Sequence, residues 1–267
     1  MIKVKALLAL TLVLGTTAGA FAFGGGGCGE GKCSDCHTLS KEQATDVLKS
    51  LNVPFEVDSV TLSQVPGLWD VVMKRPDGLK IPVFLDFSLK YLIQGEALKL
   101  SSKENITKNR MIDLNRIDPT VIGLDDALVM GSPKAKYRII VFDDPECPFC
   151  QKLQESMKEV VKTRPDIAFY IKLLPLEIHP TAYEKAKAII CEKSLEMLDK
   201  SLTKQDIPKA KCKTDVIEKN RELAQSLRIT STPTLVFPDG RVMPGFRTPE
   251  ELIKSLSEDD TLKTTKK

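Results

Sequence analysis

Asp143-Asp144-Pro145-Glu146-Cys147-Pro148-Phe149-Cys150 decides how this chain of 267 residues is read. Upstream, Tyr137 to Phe142 is an apolar and β-branched run of the kind a buried strand shows. Downstream, Leu153, Met157, Val160 and Val161 line one face of a helix that stops before Pro165. Cys147 therefore stands where a strand hands over to a helix, with Pro148 in the first turn, where a missing backbone donor costs nothing. Unpaired N–H groups and the positive end of the helix dipole favour a thiolate there, which lowers the pKa of Cys147. Cys150, three residues on, is placed to attack a mixed disulfide formed at Cys147. Asp143, Asp144 and Glu146 are expected to work against this activation by placing negative charge beside the same sulfur. Phe149 adds neither charge nor donor, so a moderately activated thiol is expected. Zinc ligation and an inert bridge are the alternatives for any Cys-x-x-Cys pair. Zinc would want a second pair of ligands, and the strand–helix junction favours redox exchange.

Moving outward, Ile167 to Leu174 reads as a second strand and Ala182 to Leu198 as mostly helical. Thr234 to Phe237 and Arg241 to Met243 form a hairpin around Pro238-Asp239-Gly240, and Thr248, Pro249 and Glu251 open a final capped helix. The tail after Asp259, residues 259–267, is expected to be disordered. Thr232-Pro233 precedes the hairpin. A cis bond there would present the Thr232 backbone to an extended substrate segment; a trans proline opening an edge strand fits the same residues.

The amino-terminal half is different in character. Ser40 and Gln43 fit a capping box, and Val47, Leu48 and Leu51 give the following helix an apolar stripe. Four strand-like runs follow, at Phe55 to Val60, Leu68 to Met73, Ile81 to Leu85 and Tyr91 to Ile93, with a Pro76-Asp77-Gly78 turn between the second and third. Residues 38–100 thus make a small α+β unit whose thin core hints at a partner surface. Ser101 and Glu104 form a second capping box, launching a polar helix through about Ile117 that reads as a connector within residues 101–130. An ordinary surface helix has the same pattern.

Lys3 and Lys5, the apolar run Ala6 to Leu14 and the small residues of Ala20-Phe21-Ala22 predict a cleaved signal peptide over residues 1–22. The run is short of the roughly 20 apolar residues a membrane span needs. The net charge of +3 comes from nearly balanced acids and bases, which argues against nucleic acid as a partner. Seven cysteines in an exported chain lie where disulfides persist. Residues 23–37 form a Gly/Cys-rich arm holding Cys28, Cys33 and Cys36. Its Cys33-Ser34-Asp35-Cys36-His37 run fits the attachment motif of c-type haem, with thioethers at Cys33 and Cys36 and the iron on His37. A second dithiol or a disulfide, with Cys28 pairing across a dimer, is the plainer alternative.

Taken together, Tyr91-Leu92-Ile93-Gln94-Gly95-Glu96, the Asp144 to Cys150 motif, Leu174-Pro175-Leu176 with His179-Pro180, and Thr232-Pro233 resemble the periplasmic DsbC/DsbG disulfide isomerase family. The resemblance runs from about Ser40 to Ser257. It implies an α+β and α/β chain with a cystatin-like dimerisation domain, a linker helix and a thioredoxin-like catalytic domain with a helical insertion (residues 131–258). It further implies a periplasmic homodimer that acts on misfolded, disulfide-containing secreted proteins and is kept reduced by a membrane thiol reductant of the DsbD type. By the same resemblance Cys147 is the nucleophile, Cys150 the resolving cysteine, Thr232 and Pro233 contact substrate, and Cys191 pairs with Cys212 in a structural disulfide. Thiol exchange of this kind needs no cofactor. Pro148-Phe149 stands where the best-known isomerase has glycine and tyrosine, and the cysteine arm is a departure from the family. Two other functions fit parts of the sequence: a haem electron carrier with a thioredoxin-like docking domain, and a chaperone that binds unfolded chains without exchange.

Overall fold

A computed structural model describes residues 38–264, with side chains through residue 256. Helix α1 (Lys41–Leu48) begins at a reciprocal cap: Ser40 Oγ accepts the Gln43 N–H and Gln43 Oε1 accepts the Ser40 N–H. Its buried residues Ala44 and Leu48 meet Trp69, Val71 and Met73, alternate residues of one strand face. That strand, β2 (Leu68–Lys74), lies in an antiparallel sheet of order β1-β2-β3-β4 with β1 (Glu56–Leu62), β3 (Lys80–Asp86) and β4 (Leu92–Ile93).

Ser101 and Glu104 do not cap a helix. The chain folds back on itself there: β5 (Leu98–Lys99) pairs with β6 (Glu104–Asn105), and Lys103 takes a left-handed φ of 58° that no continuing helix permits. Helix α2 (Ile106–Leu114) starts later, capped by Asn105, whose side chain accepts the Lys108 N–H at 2.8 Å. Two ties hold α2 to the small sheet. Arg110 Nε reaches Asp70 Oδ2 at 3.0 Å, and the Asn115 amide brackets Lys80, accepting its N–H and donating to its carbonyl.

The second half is a five-stranded sheet of order β11-β10-β8-β9-β7. Strands β8 (Tyr137–Asp143) and β9 (Ile167–Leu173) run parallel through α3 (Pro148–Thr163); β7 (Leu128–Met130), β10 (Thr234–Val236) and β11 (Val242–Pro244) are antiparallel to their neighbours. Alternation splits the buried residues between two cores. Ile139, Val141, Phe169 and Ile171 join Leu153, Met157 and Val160 of α3, while Ile140, Phe142, Ala168 and Tyr170 join Ala224 and Ile229.

Three expectations change here. The helix read over Ala182 to Leu198 is two: α4 (Ala182–Glu192) ends where Lys193 turns left-handed, and Ser194 caps α5 (Leu195–Leu202). Helix α6 (Val216–Ser226) and the short strand β7 were not expected from the sequence. Helix α7 (Pro249–Thr264) carries the expected Thr248/Glu251 cap but continues past Asp259, since no proline or glycine interrupts it.

The halves meet at two Pro-Asp-Gly turns. Arg116 donates to Asp239 Oδ2 at 2.8 Å and the Ile117 N–H to the Gly240 carbonyl at 2.9 Å, while Arg228 donates to the Asp77 carbonyl at 3.0 Å.

Candidate active site

Cys147 is the N-cap of α3, extended at φ −75° and ψ 123°, with Pro148 in the first turn. Both cysteines of the motif are reduced; Cys147 is 5% exposed and Cys150 fully enclosed. The Cys147 thiol reaches the Thr232 carbonyl at 3.4 Å, and Thr232 is joined to Pro233 by a cis peptide bond. The Asp144 N–H points at Cys150 Sγ, also at 3.4 Å.

Hydrogen bonding from Cys150, and from the backbone N–H groups of Cys150 and Phe149 at the helix start, lowers the Cys147 thiol to about 6 against the opposing pull of burial. Burial drives the Cys150 thiol the other way, so it stays protonated through the physiological range.

The expectation that three acids would oppose Cys147 is corrected for Asp144 and Glu146 by where their side chains go, and holds for Asp143. Asp144 turns inward: Oδ1 accepts the Glu146 N–H, and Oδ2 accepts the Leu176 N–H and lies 2.8 Å from His179 Nδ1. Glu146 turns outward to α4, where Thr181 and Lys185 (2.7 Å) hold it; burial pulls its carboxyl up, but these bonds outweigh it and leave the pKa below the usual carboxylate range. Asp143 is fully buried, and burial, followed by the Cys147 and Asp144 charges, pushes its carboxyl well above the usual range.

Asp143 matters for another reason. Neither of its oxygens has a donor in hydrogen-bonding geometry, and the Cys150 thiol is the neighbour that acts on it in favour of the charged form. In the sequence it figured only as a charge. Its odd-numbered place on β8, in phase with Ile139 and Val141, was the available signal that it faces the α3 core.

The remaining residues singled out in the sequence are dispersed. Cys191, at the end of α4, and Cys212, ahead of α6, are disulfide-bonded across a separation of 21 residues. His179 serves as the partner of Asp144. Phe149 stands exposed, with Lys152 Nζ 5.6 Å from its ring centre. The signal peptide, Cys28 and the Cys33, Cys36 and His37 group lie outside the described residues. Among the described residues no cluster of three or more His, Cys, Asp or Glu side chains is arranged to hold a metal ion, and no helix is long and apolar enough to cross a membrane.

The family model of the thioredoxin-like domain matches residues 124–258, half of the chain, and covers the whole constellation of Cys147, Cys150 and Thr232. The chain belongs to the thioredoxin-like family. Its relatives include the probable thiol:disulfide interchange protein DsbC of Bordetella avium, 26% identical over 176 residues that make up 65% of this chain and 61% of that protein. The thiol:disulfide interchange protein DsbC of Dickeya dadantii is 29% identical over 62% of this chain and 68% of its own. The chain thus spans about three fifths of the first of these relatives. Among solved structures, a disulfide interchange protein from Neisseria gonorrhoeae aligns at 28% identity, covering 50% of this chain and 97% of that one, with a TM-score of 0.43. The thioredoxin-like domain here begins between β7 and the connector that leaves α2, so the small sheet lies outside the family match.

Proposed function

We propose that this protein is a thiol:disulfide oxidoreductase that reduces and isomerises wrong disulfides in exported proteins. The observation that carries the reading is the inequality of the two sulfurs: Cys147 activated to about 6 and 5% exposed, Cys150 protonated and fully enclosed. The Cys147 thiolate attacks one sulfur of a substrate disulfide, forming a mixed disulfide and expelling the other sulfur as a thiolate. Asp143, ionised, takes the Cys150 proton as that sulfur attacks Cys147 Sγ; the substrate leaves as its second thiolate, and Cys147–Cys150 is left oxidised by two electrons. In isomerisation the first expelled thiolate attacks another disulfide of the substrate and frees a different thiolate, which attacks the substrate sulfur bound to Cys147, closing a new disulfide and releasing Cys147 as its thiolate. Thr232 and Pro233 bind the substrate backbone beside the reacting sulfur, and the Cys191–Cys212 bond is structural.

The relatives' names and the signal-like amino terminus support a periplasmic location, with a membrane thiol reductant of the DsbD type restoring the dithiol. A homodimer through the small sheet is supported by its exposed apolar edge: Tyr91 (68% exposed), Ile93, Leu98 and Leu100 (90%) surround β4 and β5. Refolding of a scrambled disulfide protein tests the reading. Cys147→Ala should abolish it; a wild type that reshuffles no bonds, with suppression of aggregation that survives Cys147→Ala, would make the protein a chaperone.

The Cys33-Ser34-Asp35-Cys36-His37 motif supports a second reading, one covalent haem c at Cys33, Cys36 and His37 in an electron carrier. Protein from a host competent in haem attachment should then show a Soret band that is lost in Cys36→Ser. A colourless protein rejects this reading and leaves the first intact.

A further inference from the structure

Between the two halves lies a half-open groove of about 620 Å³ that takes no part in thiol exchange at Cys147. One wall comes from the small sheet and connector, with Ile81, Val83, Met111 and Ile112; the other comes from the thioredoxin-like domain, with Ile229 and Val242. Its size and apolar lining at a domain junction are those of a binding groove. Both ends of the junction are fixed, at one by Arg116 and Ile117 on the Asp239-Gly240 turn, at the other by Arg228 on Asp77.

Continuity with the sulfur site identifies the occupant. Ser231 and Thr234 line the groove, and between them sits Thr232, whose carbonyl lies 3.4 Å from Cys147 Sγ. The second wall also includes Val242 and Pro244 of β11, the edge strand of the five-stranded sheet, where an extended chain finds main-chain partners. We propose that this groove, within a single protomer, binds an extended, cysteine-free apolar segment of the same substrate polypeptide whose disulfide is engaged at Cys147. The inference rests on the thiol-exchange reading and adds to it a second contact, one that selects unfolded chains with exposed apolar stretches over folded proteins and small disulfides. The groove lies between α2 and residues 227–231 of one chain, so its binding does not need a second copy.

The test uses the full chain and a fluorescent, cysteine-free peptide of alternating valine and leucine, with a control peptide carrying aspartate at alternate positions. Anisotropy should show binding of the first and at least tenfold weaker binding of the second. Met111→Lys, on the connector wall, and Val242→Lys, on the edge-strand wall, should each lower affinity at least tenfold while leaving the rate of reaction of Cys147 with glutathione disulfide unchanged. Far-ultraviolet circular dichroism and that same rate certify that each variant is folded; either one alone suffices if the other misfolds. No binding by the wild type, or affinity unchanged in a folded variant, overturns the groove. Binding lost on dilution to monomers while the fold persists overturns the single-protomer site. Absence of any disulfide turnover by the wild type would overturn the thiol-exchange reading instead, and the peptide titration would still report on the groove.

Discussion

Cys147 Sγ lies 3.4 Å from the carbonyl oxygen of Thr232, a residue 85 positions further along the chain. The contact joins the start of α3 to the loop before β10, so the activated sulfur and the backbone proposed to bind substrate are delivered to one point by neighbouring strands.

Alkylation of Cys147 by iodoacetamide should follow its ionisation. The thiol is an acid whose pKa is lowered to about 6, so the rate rises with pH through that value and levels off above about pH 7. Below pH 5 the thiolate is lost and the rate falls about tenfold per pH unit. A profile still climbing at pH 8 to 9, as for an ordinary cysteine, would contradict the hydrogen bonding described for the helix start. Stopped-flow alkylation of the Cys150→Ser variant is a poor substitute, because it exchanges the thiol that contributes most to holding the thiolate for a hydroxyl.

Asp143→Asn should leave the first attack intact and slow the second. Without a proton acceptor for Cys150, mixed disulfide at Cys147 accumulates and overall turnover falls by about 100-fold. Rapid acid quench and mass spectrometry would show the trapped adduct. The discriminating readout is the pH profile of resolution, which should lose its Asp143-dependent limb; a merely structural role would lower thermal stability and leave that profile unmoved. Stability should not fall, since the wild-type carboxyl is buried with neither oxygen hydrogen-bonded.

Replacing Cys191 and Cys212 together by alanine should cost about 3 kcal/mol of unfolding free energy, as expected for opening a loop of this length. Urea denaturation of the reduced-site protein checks it. The rate of Cys147 alkylation should not change, because the bridge sits at the far end of α4 from Lys185's contact with Glu146.

Gly240→Ala should loosen the junction without touching the sulfur site. Gly240 has a φ of 86°, and a Cβ there would stand 2.1 Å from the Ile117 carbonyl oxygen, so backbone must move. Limited proteolysis should cut between residues 116 and 122 faster than in the wild type by about tenfold, while Cys147 alkylation is unaltered. Equal cleavage rates would mean that the turn does not hold the connector.

The strand–helix junction at Cys147 was readable because residue identity and periodicity agreed: an apolar run, a proline suited to the first helical turn, and an apolar stripe after it. The caps at Ser40 and Thr248 were readable for the same reason, each being a local bond between side chain and backbone. What escaped depended on distant partners or on hidden backbone angles. Ser101 and Glu104 have the spacing of a cap, but residues 98–105 gain more by pairing as a hairpin. Lys193 gives no compositional warning of its left-handed turn. The acids around Cys147 were counted as charges because a sequence cannot say that Glu146 leans on Lys185 or that Asp144 is occupied by Leu176 and His179. Asp143 was read only in part: its charge does act on Cys147, but the residue is buried and also faces Cys150.

One consequence follows from the enclosure of Cys150. Any protein that exchanges electrons with this one has a single sulfur to engage, and that sulfur holds one partner at a time. If the protein has the proposed thiol-exchange function, client and reductant therefore take turns, each departing before the other arrives, and steady-state rates should obey double-displacement kinetics, with reciprocal plots at different reductant concentrations running parallel. Raising the supply of clients without raising the supply of reductant would then leave the protein stalled with Cys147 bonded to Cys150, so the ratio of the two, more than the abundance of either, would set how fast wrong bonds are reduced.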